Sequence, residues 1–117
     1  MINEIAFFAY PVTDMARARA FYENILGLKV ESNFMDRWVE YGIGGGTLAI
    51  AATDANHTPG ANGGFIGLEV DDFDKTIAQL KQNAVKFLSE PGTTPVCRMA
   101  TVADPDGNQI IIHKRTR

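Results

Sequence analysis

The chain has 117 residues, of which 45% are hydrophobic and 21% are charged, and its net charge is -3 with a pI near 5.2. These values predict one globular domain and argue against a nucleic-acid surface, which needs clustered Lys and Arg. No apolar run approaches the roughly 20 residues of a membrane span, and the N-terminus lacks a secretory signal pattern. The single cysteine, Cys97, cannot form an internal disulfide. We therefore expect a cytoplasmic protein that binds neither nucleic acid nor membranes.

The first half of the chain predicts the element order βαβββ. An apolar run predicts a strand over Ile5–Tyr10, buried on both faces and ended by Pro11, and Thr13 follows as a helix cap. Apolar residues then recur at helical spacing until Gly27 stops the helix: Ala18, Phe21, Tyr22 and Ile25. Three strands follow, the last two joined by a glycine-rich hairpin turn: Leu28–Glu31, Arg37–Ile43 and Thr47–Ala52.

A polar segment rich in turn-forming residues, 53–64, predicts a linker, after which the same order restarts. We predict a strand over Phe65–Val70, a helix capped by Asp71 or Asp72, and a second strand over Val85–Leu88. The apolar side of this helix consists of Phe73, Ile77, Leu80 and Ala84. A closing hairpin is predicted around a strong turn signal: Val96–Val102 and Gln109–His113, joined at Asp104-Pro105-Asp106-Gly107.

The two halves align with each other at an offset of 58 positions, which pairs Phe7 with Phe65 and Asp14 with Asp72. Towards the end of each half, Leu48-Ala49-Ile50 aligns with Ile110-Ile111-Ile112. A chain that repeats itself in this way predicts two copies of one supersecondary unit, each too small to bury its own sheet face.

Three segments and the repeated order resemble the vicinal oxygen chelate superfamily, which includes glyoxalase I, extradiol dioxygenases and bleomycin resistance proteins. The segments are VTDMARARAFYENILGLKV, GLEVDDFD and DPDGNQIII. The resemblance implies an α+β fold, in which two tandem βαβββ modules form curved mixed sheets with helices on the convex side. A single domain would cover 1–117, with modules at 1–52 and 65–117. It also implies a homodimer, because members of this fold usually pair modules and because small sheets leave edges to cover.

In metal-using members, as the resemblance implies, a divalent ion takes ligands from the first and last strands of each half. Those ligand positions fall on four apolar residues of this sequence: Phe7, Ala49, Phe65 and Ile111. Such an ion needs nitrogen or oxygen lone pairs, which none of these side chains offers. We therefore predict no metal ligands and no cofactor, with these residues forming the floor of an apolar cavity.

Polar and aromatic candidates for the rim of this cavity are Glu40 beside Trp38, and Glu69 on the first strand of the second half. An acidic group near aromatic rings suits a cationic or planar ligand, although a glutamate in a strand is usually just solvated. Trp38 and Tyr41 lie on opposite faces of one predicted strand, so only one of them can face the cavity while the other packs on a helix.

Two histidines complete the set of candidates. His113 has the strand parity of Ile111 and could act in the cavity as an acid, a base or a hydrogen-bond donor, or could simply be half exposed at the end of its strand. His57 lies in the polar linker, where we expect it to be exposed to solvent.

The sequence favours metal-independent binding of a small aromatic or planar molecule, at a site formed by Phe7, Trp38, Glu40, Ala49, Phe65, Glu69, Ile111 and His113. The alternative is a glyoxalase-like or dioxygenase-like enzyme, either metal-free with His113 or Glu69 in proton transfer, or using ligands that the alignment does not identify. A third possibility is an interaction domain whose own side chains fill the cavity.

Overall fold

The computed structural model describes residue 1 and residues 5–60 and 62–116. The chain divides into two compact units, Met1–Pro59 and Gly60–Arg117, and the division falls inside the predicted linker. Each unit contains one helical segment and a four-stranded mixed sheet, so the predicted α+β fold of tandem βαβββ modules is confirmed. Among the described residues, no helix has the length and apolar character needed to cross a membrane.

In the first unit, the sheet has the strand order β1-β4-β3-β2, with β1 parallel to β4 and the other pairs antiparallel. These strands are β1 (Phe8–Val12), β2 (Val30–Phe34), β3 (Trp38–Ile43) and β4 (Gly46–Ala52). Ile43 pairs with Gly46, so the turn between β3 and β4 has two residues, and Gly44 adopts a φ of 56° there. Glycine tolerates this conformation without strain, as the hairpin prediction required.

The first strand differs from its prediction in position and in burial. It begins at Phe8 rather than Ile5, and it continues through Pro11 to Val12. Because β1 lies at the edge of its sheet, the N–H that proline lacks is not needed for pairing, and the strand need not end there. Only the side carrying Tyr10 and Val12 is buried, whereas Ile5 is exposed, so the prediction of burial on both faces was wrong.

The first helical segment begins as an α-helix, α1 (Met15–Arg19), and continues directly as a π-helix (Ala20–Ile25). Its cap is Asp14 rather than the predicted Thr13: the Asp14 Oδ1 accepts a hydrogen bond from the Arg17 amide at 3.0 Å. Gly27, at a φ of 71°, follows the segment and ends it as predicted.

Tyr41 on β3 connects the sheet to this helical segment. Its ring stacks on Tyr22 with the centroids 6.0 Å apart, and its hydroxyl donates to the Glu23 carboxylate at 2.9 Å. Burial raises the pKa of the Tyr41 phenol, and the Glu23 carboxylate raises it further, while the Arg19 guanidinium holds the pKa of Glu23 below its ordinary value. Tyr41 therefore faces the helix, and the opposite face of β3 carries Trp38.

The second unit repeats this arrangement, with the strand order β5-β8-β7-β6. Its elements are β5 (Ile66–Glu69), α2 (Phe73–Gln82), β6 (Lys86–Thr93), β7 (Cys97–Ala103) and β8 (Gln109–Arg115). Asp72, one of the two predicted caps, accepts a hydrogen bond from the Lys75 amide at 3.1 Å. Ala84 lies beyond α2 at a φ of 57°, so its predicted place on the apolar side of the helix was wrong.

The two outermost antiparallel strands were predicted too short or out of position. β2 was expected at Leu28–Glu31 and β6 at Val85–Leu88, but β2 runs to Phe34 and β6 runs to Thr93. Both are edge strands with largely exposed side chains, and both contain register irregularities. Apolar patterning therefore carries little information about their limits.

The strand registers confirm the internal repeat. Phe8 pairs with Leu48 across β1 and β4, and Ile66 pairs with Ile110 across β5 and β8. These are equivalent positions in the alignment of the two halves, so the repeat in the sequence is a repeat of strand pairing.

The predicted turn between β7 and β8 contains a buried polar cluster. Asp104 and Asn108 are only 4% and 1% exposed. The Asp104 Oδ2 accepts a hydrogen bond from the Asn108 side-chain amide at 2.8 Å, and its Oδ1 accepts from the backbone amides of Asp106 and Asn108, both at 2.9 Å. The Asn108 Oδ1 accepts from the Gly60 amide at 3.0 Å, so this turn holds the first residue of the unit in place.

Candidate functional site

The first sheet carries a pocket of about 430 Å³ on the face opposite its helix. Cross-strand pairs point to the same side, and the register pairs Ala51 with Trp38 on β3 and with Pro11 on β1. The pocket is lined by aromatic, small apolar and charged residues of the first unit: Phe7, Ala9, Pro11, Arg37, Trp38, Ala51, Ala52, Asp54 and His57.

Two aromatic side chains form one wall of this pocket. The rings of Phe7 and Trp38 meet edge to face, with their centroids 4.9 Å apart and an angle of 85° between the ring planes. Phe7 is 47% exposed, so its ring is accessible to a ligand. The indole Nε1–H of Trp38 donates to the Glu40 carboxylate at 2.8 Å, which fixes the orientation of the indole. The structure thus brings together the predicted residues Phe7, Trp38 and Glu40.

The floor of the pocket is formed by small side chains, but not by the predicted one. Ala49 lies on the same face, opposite Ala9 and Glu40, yet it is 0% exposed and does not line the pocket. Ala9 and Ala51 form the accessible surface instead. Ala49 thus lies on the pocket face of β4 but is covered, and its role in ligand binding stays a prediction.

Asp54 and His57, in the segment that follows β4, contact each other at the pocket. The His57 Nδ1 lies 3.0 Å from the Asp54 Oδ1, which also accepts hydrogen bonds from the backbone amides of Asn56 at 2.8 Å and His57 at 2.9 Å. The pKa of Asp54 lies below its ordinary value. The main cause is the hydrogen bond from the Asn56 backbone amide, and the contact with the His57 ring lowers the pKa further. The His57 side chain is 72% exposed, as expected for a linker residue, but it also lines the pocket.

Arg37 is a pocket residue that sequence reasoning missed. It directly precedes β3, and its carbonyl accepts a hydrogen bond from the Ala52 amide at 2.9 Å, which places Arg37 beside the end of β4. Its exposed position in a turn resembles that of any solvated arginine. The signal that could have identified it is its adjacency to Trp38, together with the pairing of Trp38 with Ala51.

In the second unit, the parallel register of β5 and β8 pairs Glu69 with His113. The His113 Nδ1 lies 2.7 Å from the Glu69 Oε1, and the Arg115 backbone amide donates to the Glu69 Oε2, also at 2.7 Å. The pKa of Glu69 lies below its ordinary value. The main cause is the hydrogen bond from the Arg115 backbone amide, and the contact with the His113 ring lowers the pKa further. Sequence reasoning considered Glu69 and His113 separately, and the structure brings them into contact.

The remaining predicted residues also lie in the second unit. Ile111 is paired with Gly67 and has the strand parity of His113, and it is half-buried. Phe65 directly precedes β5 and is exposed. Their roles in ligand binding stay predictions.

Comparison with known proteins identifies the family. Residues 4–112 match the Glyoxalase/Bleomycin resistance protein/Dioxygenase superfamily. The chain belongs to this superfamily. It is similar to TnmS3, an antibiotic binding protein from Streptomyces sp. CB03234, with 28% identity, a TM-score of 0.82 and 98% of each chain covered. It is also similar to a glyoxalase/bleomycin resistance protein from the same organism, with 30% identity, a TM-score of 0.77, and 93% of this chain and 98% of that chain covered.

The superfamily relatives also include a protein named for an enzyme. A probable chloroplastic lactoylglutathione lyase from Arabidopsis thaliana is 29% identical over 119 residues, which cover 91% of this chain. The chain spans 34% of the length of that relative. Membership of the superfamily therefore fixes the fold and leaves both binding and catalysis to be argued from the site.

The metal site of the superfamily does not fit the residues of this chain. The side chains at the implied ligand positions, Phe7, Ala49, Phe65 and Ile111, have no nitrogen or oxygen to donate. Within the part of the chain that the structure describes, no three or more His, Cys, Asp and Glu side chains are grouped so that they could hold a metal ion.

Proposed function

We propose that the chain binds a small, planar aromatic molecule in the pocket of its first unit, without a metal ion. The observation that carries this proposal is the accessible wall of Phe7 and Trp38 above an alanine floor. A volume of about 430 Å³ suits a small organic ligand, since such pockets usually hold roughly 300–1,000 Å³. The similarity to an antibiotic binding protein along nearly the whole chain supports the proposal.

A planar ligand is favoured by the shape and rigidity of the lining. Ala9 and Ala51 add only methyl groups to the face of the sheet, so a flat molecule can lie against the sheet. The Trp38 indole is held by its hydrogen bond to Glu40, so little conformational freedom is lost when a ring packs against it. A ligand ring that packs against the Trp38 indole also gains an attraction between aromatic rings, beyond the effect of buried area alone.

A panel of planar aromatic compounds tests this proposal by thermal unfolding, with and without EDTA. A ligand at 100 times its Kd is expected to stabilise the protein by about 2.7 kcal/mol, and chelator is expected to change nothing. A panel without any shift in Tm would contradict binding, and a shift that EDTA abolishes would contradict metal independence.

We further propose that the protein is a homodimer. Each four-stranded sheet leaves two edge strands, and large apolar side chains such as Phe34 and Met35 are exposed. Light scattering should then give twice the chain mass of 12.8 kDa, whereas the mass of a single chain would contradict the proposal.

A second candidate function is metal-free proton transfer, which the contact between Glu69 and His113 favours. If the His113 Nδ1–H donates to Glu69, the Nε2 lone pair is free to accept a proton from a substrate. Glu69 would then act as a positioning residue, because its carboxylate holds the imidazole in one tautomer.

This second function is tested by the formation and cleavage of lactoylglutathione, the compound in the name of the plant relative. Loss of a general base is expected to reduce turnover by about 100-fold or more in His113→Ala. Lys86→Ala serves as the control, since Lys86 is an exposed residue of β6 in the same unit as His113. Full activity in His113→Ala would exclude this role.

A further inference from the structure

We propose that the planar ligand carries an anionic oxygen group, of which a carboxylate is the simplest example, and that Arg37 binds this group. The inference rests on the proposed function, since it specifies the chemical class of ligand for the same pocket.

Among the charged residues that line the pocket, Arg37 is the one whose side-chain N–H donors have no partner in the described part of the chain. Its guanidinium has no hydrogen-bond or ion-pair partner among residues 1, 5–60 and 62–116, whereas Arg19 in the same unit is paired with Glu23 at 2.7 Å and with Asp36 at 3.1 Å. A guanidinium presents N–H donors in a planar fork that matches the two oxygens of a carboxylate. An anionic ligand group at the rim would occupy these donors.

The acid in the pocket is already engaged within its own loop. The Asp54 Oδ1 accepts from two backbone amides and contacts the His57 ring, and its Oδ2 lies 3.3 Å from the same ring nitrogen. The Thr53 hydroxyl donates to the His57 carbonyl at 2.6 Å, which closes the loop around these contacts. A ligand cation would have to compete with these partners for Asp54.

The acid beside the aromatic wall is engaged as well. The Glu40 Oε2 accepts the Trp38 Nε1–H at 2.8 Å, and withdrawing it would release the indole that forms the wall. Both carboxylates near the pocket thus have protein partners, while the Arg37 guanidinium has none among the residues that the structure describes. Since Arg37 and Trp38 are adjacent in the chain and line one pocket, a ligand ring on Trp38 can place an anionic substituent near Arg37.

Three naphthalenes of one shape and different charge test the inference: 2-naphthoate, 2-naphthalenemethanol and 2-naphthylmethylammonium. Calorimetric titration at low salt is expected to show that the anion binds about tenfold more tightly than the alcohol, which corresponds to about 1.4 kcal/mol, and that the cation binds most weakly. Added salt is expected to reduce the advantage of the anion.

Arg37→Gln is expected to bring the anion to the affinity of the alcohol and to leave the alcohol unchanged. Lys29→Gln makes the same change of charge in the first unit outside the pocket lining, and it is expected to preserve the tenfold preference. If none of the three compounds binds, the proposed function fails. If the alcohol binds and the anion gains nothing over it, if the cation binds most tightly, or if Arg37→Gln keeps the preference, the inference alone is overturned.

Discussion

Replacing Trp38 with alanine is expected to weaken the binding of planar aromatic ligands by about 30-fold. The substitution removes the indole, its edge-to-face contact with Phe7 and its hydrogen bond to Glu40. Truncating a central aromatic anchor in a binding site typically costs 2 kcal/mol or more, and 2 kcal/mol corresponds to about 30-fold in affinity. Calorimetric titration with 2-naphthoate gives the Kd of each protein, and circular dichroism shows whether the variant keeps its fold.

Two further variants make this result specific. Trp38→Phe retains a ring but loses the Nε1–H donor to Glu40, so its affinity should lie between those of the parent and Trp38→Ala. Phe34 is an exposed aromatic residue that pairs with Trp38 across β2 and β3 but does not line the pocket, so Phe34→Ala should change the Kd by less than about twofold. An affinity in Trp38→Ala equal to that of the parent would place the ligand elsewhere.

Asn108→Ala is expected to lower the free energy of unfolding by about 3 kcal/mol, which is a large effect for one substitution. The side chain is 1% exposed, and it donates to the Asp104 carboxylate and accepts from the Gly60 amide. Removing the side chain takes a hydrogen-bond donor away from the buried Asp104 carboxylate and leaves the Gly60 amide without its acceptor. Each of these losses costs roughly 1–3 kcal/mol. Urea unfolding followed by fluorescence and circular dichroism measures the change.

Asn56→Ala provides the matched control, because Asn56 lies in the exposed linker and its hydrogen bond to Asp54 is made by its backbone amide. This variant should stay within about 0.5 kcal/mol of the parent. If Asn108→Ala does not fold, hydrogen exchange in the parent protein tests the same contact, since the Gly60 amide should be protected. A freely exchanging Gly60 amide, or a stability of Asn108→Ala equal to that of Asn56→Ala, would contradict the structural role of Asn108.

The repeated architecture could be predicted because it depends on features that the sequence displays directly. The alignment of Phe7 with Phe65, and of Leu48 with Ile110, marks equivalent strands in the two halves, and the registers show the same pairing in both. Asp72 was recognisable as a cap because few residue types can accept hydrogen bonds at a helix start.

The candidate site was harder to predict because several of its members come from turns. Alternation along strands identifies which face a residue occupies, and it brought Trp38 and Glu40 to one side. Alternation gives no information about Arg37 or His57, whose positions depend on how a turn and a loop return to the sheet. It also cannot show that Ala49 is covered while Ala51 is accessible, because burial depends on neighbouring elements.

The contact between Glu69 and His113 could be predicted only in part from the sequence. Each residue was a candidate by itself, but they are 44 positions apart in the chain, and only the register of β5 against β8 sets which residue faces which. A one-residue change of that register would turn one of the two side chains to the opposite face of the sheet.

The proline within β1 also affects whether a strand from another molecule can add to this edge of the sheet. An open strand edge normally offers a row of N–H and C=O groups, which can template the addition of a strand from another molecule and start aggregation. Pro11 interrupts that row with a position that has no hydrogen to donate, and it does so at the fourth of the five residues of the strand. A foreign strand could therefore form only a broken ladder along β1, so the residue that misled the strand prediction also protects this edge from unwanted growth.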